Sequence, residues 1–188
     1  MAALPDVLGR GDYTREEVNR MEETGELTGR YELLEGHLID KMGQNPPHAW
    51  SLHRMHEWLL SVFGLRRVRN QSPIEVGAKD RRRNDPQPDI AVVAEDKSEY
   101  SVRHPRGDEL VMIVEVADSS SRFDLSVKAA LYARAGVPEY WVLDVSRRVL
   151  VMHRGLENGA YGHRTEVAER EYISIGDFRI LVSALLPE

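Results

Sequence analysis

Apolar positions along the chain follow two periods, and the change between them falls near Gly64. Before it, Thr14 followed three residues later by Glu17, with Gly25 as a stop, predicts a short polar helix over Asp12 to Glu23. Tyr31-Glu32-Leu33-Leu34 and His37-Leu38-Ile39-Asp40, separated by Glu35-Gly36, predict a β-hairpin. Asn45-Pro46 opens a helix that runs to about Phe63, with Leu52, Met55, Leu59 and Val62 as its buried stripe. After Gly64 come short apolar runs at Leu65 to Arg69, Ile74 to Val76, Ile90 to Ala94 and Leu110 to Ala117, the last two reading as central strands. The charged stretch from Glu95 to Asp108 between them reads as a loop. A second helix is expected from Ser121 to Ala135, with Ser121 and Asp124 at its start and Phe123, Val127, Ala130 and Leu131 as its stripe. Tyr140 to Leu143 is a further strand, and Val149 to His153, Tyr161 to Val167 and Ile180 to Val182 continue the β pattern.

This order predicts an α/β fold: a mixed sheet flanked by helices, with an extra N-terminal hairpin and C-terminal strands. At 188 residues, with no internal repeat and no dividing linker, a single domain is expected. Residues 1–28 would form a helical extension, 31–144 the core and 145–188 the C-terminal strands.

Composition narrows the chemistry. The absence of cysteine excludes disulfides and Cys-ligated metal sites and fits a reducing cytoplasm. No apolar run approaches the length of a membrane span, and Met1 to Asp12 lacks the features of a secretory leader. A formal charge of −6 argues against coating nucleic acid by bulk charge. A local stripe of Arg66, Arg67, Arg69, Lys79, Arg81, Arg82 and Arg83 nevertheless offers a surface for a phosphate backbone, although such runs are commonly solvated loops.

Two acids sit on apolar strands. Asp89 directly precedes Ile90-Ala91-Val92-Val93, and Glu115 lies within Val111 to Val116. A carboxylate there is costly unless it is paired, hydrogen-bonded or bound to a cation. If the two strands are neighbours, Asp89 and Glu115 converge, and two carboxylates with a carbonyl and water suit magnesium. The plainer alternatives are a turn cap for Asp89 and an arginine pair for Glu115. Lys128 falls between Leu131 and Tyr132 on a helical wheel, which lays its stem along apolar surface, as a snorkelling border lysine also would. The spacing of His48, His53 and His56 gives no zinc pattern.

Taken together, Tyr31 to Gly36, His48 opening a helix, Gln87-Pro88-Asp89-Ile90, Val114-Glu115-Val116, Asp124 with Lys128, and Gly136 to Asp144 resemble the Uma2 family of the PD-(D/E)xK restriction-endonuclease-like superfamily. The resemblance implies an endonuclease dependent on Mg2+ or Mn2+, with Asp89, Glu115 and the Val116 carbonyl as metal ligands and Glu32 completing the shell. It implies Lys128 as the catalytic lysine, since the superfamily's usual lysine position, two residues after the glutamate, is Ala117 here. His48 is a possible accessory group or a hydrogen-bonded core histidine. The segment Glu115 to Ser121 lacks the proline that family members commonly carry between serines.

Two other readings keep the fold: a catalytically silent nucleic-acid-binding or self-associating module, and a hydrolase of small phosphate esters. DNA and a second copy of the chain are the expected partners, the latter because the apolar residues of the C-terminal strands exceed what one sheet edge needs.

Overall fold

Most of the apolar runs after Gly64 assemble into one six-stranded sheet in the computed structural model, which describes residues 7–8, 11–41, 45–118 and 123–188. Its strands are β4 (Val68–Asn70), β5 (Ile90–Val93), β6 (Leu110–Ala117), β7 (Glu139–Asp144), β8 (Val149–Glu157) and β9 (Ala160–Ala168), hydrogen-bonded in that order. Only β6 and β7 run parallel; the other neighbours are antiparallel, so the sheet is mixed. The parallel pair needs a crossover, which the second helical segment supplies.

Strand alternation divides the side chains of this sheet between two cores. On one face Val92, Met112, Val114, Val116, Trp141, Leu143, Leu150 and Met152 pack against α2 (Pro46–Phe63). That helix is capped by Asn45, whose side chain accepts from the His48 amide, and is closed at Gly64. It buries Leu52, Met55 and Leu59 as predicted, together with Ser51 and Trp58, while Val62 is half-buried. Truncating Leu59, which is fully buried, to alanine would cost about 2–5 kcal/mol.

The opposite face carries Ala91, Val93, Ile113, Ala117, Tyr140, Val142 and Val151 against α3. This helix begins as a π-helical turn over Asp124–Lys128 and continues as α-helix over Ala129–Arg134. The wider π turn shifts the phase of the wheel. Ala130, expected on the buried stripe, is exposed, whereas Asp124, Lys128 and Tyr132 are buried. Ser121, the expected cap, lies outside the described residues.

The N-terminal hairpin is β2 (Tyr31–Leu34) and β3 (His37–Asp40), with β1 (Val7–Leu8) added to the outer edge of β3. Gly36 takes φ +81° in its turn, a conformation that suits glycine. One side of the hairpin packs on α3 through Leu34, Ile39 and Leu131, and the other holds α1 (Arg15–Thr24) through Val18. The Thr14–Glu17 capping box and the Gly25 stop of α1 are as predicted. Ile74 to Val76 forms no strand, only a single bridge between Glu75 and Arg106, because its apolar residues drop into two different cores. A second hairpin, β10 (Tyr172–Ile175) and β11 (Phe178–Leu181), closes over the α2 side; β10 was not anticipated. No helix among the described residues is long and apolar enough to cross a membrane.

Candidate active site

Adjacent antiparallel strands bring the two strand acids together. The pairing of Ile90 with Val114 continues to place Asp89 opposite Glu115. The Asp89 amide donates to Glu115 Oε2 at 3.2 Å, and the Val116 amide donates to Asp89 Oδ2 at 3.0 Å. Both carboxyls are buried. Glu32 reaches the same place from β2, where the Gln87 amide donates to its Oε2 at 3.2 Å. The expected Asp89, Glu115, Glu32 and Lys128 are therefore neighbours in space.

Lys128 sits among three acids. Its Nζ lies 2.7 Å from Glu32, 3.0 Å from Glu115 and 3.4 Å from Asp124. One helical turn on, the Tyr132 hydroxyl donates to Glu115 Oε1 at 2.9 Å. A charge buried this deeply persists only with close partners, and Lys128 and Tyr132, four residues apart, share the buried face of α3.

Lys41 was not anticipated from the sequence. Its Nζ donates to the Gln87 carbonyl at 2.7 Å and lies 3.5 Å from Asp89 Oδ1. The signal was present in the hairpin register: Glu32 pairs with Ile39, so Lys41, two residues on, projects from the same face as the buried acid. Opposite it, His48 in the first turn of α2 puts Nε2 3.5 Å from Asp89 Oδ2.

These groups hold one another's charges. Burial opposes ionisation of Asp89, but Lys41, His48 and Lys128 outweigh it and hold the carboxyl far below the usual range. For Glu32 burial is likewise overcome, by Lys128, Lys41 and the Gln87 amide, and its pKa falls. Glu115 goes the other way: burial, aided by the negative fields of Asp89 and Glu32, pushes it up to about 8 against the pull of Lys128 and Lys41. Lys41 and Lys128 are burdened by burial yet held protonated by the surrounding acids. His48 is raised, since its bond to Asp89 exceeds the cost of burial.

Among the described residues no three His, Asp or Glu side chains close around a point that would hold a metal. The acids close instead on the Lys128 ammonium. The donor set still suits a hard divalent cation in kind: four carboxyls face only two lysines.

The predicted basic stripe divides. Arg67 donates to the Val93 carbonyl at 2.9 Å and lies over Phe63, Arg69 lies over Tyr100, and Arg66 is 3.7 Å from Asp96. Arg83 binds Asp12 and the Glu35 carbonyl. Lys79, Arg81 and Arg82 are exposed, with no ion-pair partner among the described residues, in a loop at the turn end of the hairpin.

The family model described as "Uma2: Putative restriction endonuclease" matches residues 15–178. The chain belongs to the Uma2 family. A solved structure described as "a putative nuclease belonging to DUF820", from Anabaena variabilis, superimposes with a TM-score of 0.66 at 12% identity, covering 88% of this chain and 96% of that one. At that identity the likeness is one of fold. No curated protein matches the chain. Within this Uma2 protein, the Asp89–Glu115 pair lies at the junction of the two central strands, between the sheet, α3 and the hairpin.

Proposed function

We propose that this Uma2 protein is a Mg2+- or Mn2+-dependent nuclease that hydrolyses phosphodiester bonds of DNA at the Asp89–Glu115 pair. The observation that carries the reading is the cross-strand meeting of these two buried acids in a site with more carboxyls than cations. Asp89 and Glu115 would hold the ion, with the Val116 carbonyl and Glu32 as further oxygen donors. A bound divalent ion supplies an acidified water and charge at the phosphoryl oxygens.

In the overall reaction water adds to phosphorus, one P–O ester bond breaks, and the products are a phosphomonoester and an alcohol, the water proton ending on the departing oxygen. Lys128 fixes the rotamer of Glu115, and Tyr132 fixes its Oε1 from the same side. His48 holds Asp89 from the α2 side. The loop of Lys79, Arg81 and Arg82 offers free cations for the nucleic-acid backbone.

Cleavage of supercoiled plasmid and single-stranded DNA with Mg2+ or Mn2+ tests this. Asp89→Ala and Glu115→Ala are expected to lose activity by roughly two orders of magnitude or more. Wild-type protein that cleaves neither substrate contradicts the reading.

One observation favours a silent module instead: the Lys128 ammonium already satisfies three of the acids. Under that alternative the cluster is structural and divalent ions leave the protein unchanged. Self-association belongs to both readings, because the outer edge of β9 has no partner strand among the described residues.

A further inference from the structure

We infer that Lys41, rather than Lys128, is the lysine that contacts the scissile phosphate; this rests on the nuclease reading above. Resemblance to the Uma2 family places the lysine on α3, but the geometry of this chain separates the two cations by what they have left to offer. An ammonium has three donors. Those of Lys128 are surrounded by Glu32, Glu115 and Asp124 at 2.7–3.4 Å, and its side chain is 5% exposed. It neutralises acids and has no donor free for a substrate.

Lys41 is differently placed. Among the described residues its hydrogen bond goes to the Gln87 carbonyl at 2.7 Å, a neutral acceptor. Asp89 Oδ1 is 3.5 Å away, close enough for attraction but longer than a strong charge-assisted bond. Its side chain is 13% exposed, against 3% for Asp89. Lys41 and His48, 16% exposed, thus form the solvent side of the acid pair, where an incoming phosphodiester first meets the site. An ammonium there binds a non-bridging phosphoryl oxygen and stabilises the charge that develops on it, donating a hydrogen bond while keeping its proton. The hairpin delivers this cation because Lys41 shares a face with Glu32. The Gln87 carbonyl fixes the ammonium beside Asp89, so the contact is set before substrate arrives.

Lys41→Gln and Lys41→Arg separate this role from a structural one. Glutamine keeps a donor for the Gln87 carbonyl and removes the charge; arginine restores the charge. Three quantities are read on each variant: Mn2+ affinity by calorimetry, the thermal unfolding midpoint, and kcat and KM for plasmid cleavage. We expect Lys41→Gln to bind Mn2+ within threefold of wild type and to unfold within a few degrees of it. Its kcat should fall 100-fold or more, and Lys41→Arg should regain at least tenfold of that loss. Lys41→Gln that cleaves within threefold of wild type overturns the inference while leaving the nuclease reading standing. So does a loss of Mn2+ affinity beyond tenfold, which would make Lys41 a positioning group for Asp89. A wild-type protein without cleavage overturns both.

Discussion

Asp89 and Glu115 are bound to each other's strands as well as facing one another: the Asp89 amide donates to Glu115 Oε2, and Asp89 Oδ2 accepts from the amide following Glu115. Each acid is therefore oriented by the other's backbone. Backbone donors thus fix both carboxyls in place, as a site presenting two oxygens to one cation would need.

The lysine inside the acid cluster is also a stability element. Replacing Lys128 by methionine leaves Glu32 and Asp124 buried without their shared counter-ion and takes a hydrogen-bond donor from Glu115. Urea unfolding at pH 7 is expected to show a loss of about 3–5 kcal/mol. A loss below about 1 kcal/mol would mean the cluster is far more hydrated than its burial implies.

Glu115 gives the site a pH signature. Its carboxyl is raised from 4.5 to about 8, so the folded chain holds a proton that the unfolded chain has released across that window. Where the folded state binds more protons, stability falls as pH rises. In metal-free buffer, the unfolding free energy of wild type relative to Glu115→Gln should decline from pH 5 to pH 8. A difference that stays flat over that range contradicts the assignment.

Gly107 marks a close backbone approach that the fold depends on. A Cβ there would lie 2.3 Å from the Ala135 carbonyl oxygen and 2.8 Å from its carbon. Neither atom can swing aside as a side chain would, so Gly107→Ala must push the turn before β6 away from the end of α3. We expect a cost of about 1–3 kcal/mol, read as a lowered unfolding midpoint.

The unpaired outer edge of β9 predicts a homodimer. Light scattering at micromolar concentration should return twice the chain mass, and a proline at Thr165, near the middle of β9, should shift it towards one. A single chain mass for the wild type contradicts this prediction.

The legible parts of the sequence are those where one period and one set of stops act alone. Leu110 to Ala117 reads as a strand because it is apolar at every position but Glu115, and the structure gives β6 those bounds. The Thr14, Asn45 and Gly36 signals are local and place α1, α2 and the hairpin without tertiary information. The α3 stripe was misplaced at Ala130 because a π turn is invisible to a wheel drawn at 100° per residue. Lys41 was overlooked because its importance lies in register: only the pairing of Glu32 with Ile39 reveals that it shares a face with a buried acid. β10 was missed although Tyr172 to Ile175 alternates, since four residues are too short a run to set a period apart from its charged flanks.

Calorimetric titration of the purified protein with Mn2+ and Mg2+ decides whether the Asp89–Glu115 pair receives a divalent cation. Saturable binding of one ion per chain is expected in the wild type and none in Asp89→Ala or Glu115→Gln, each shown to be folded by circular dichroism. No saturable binding in the wild type, or equal binding in all three, would contradict it.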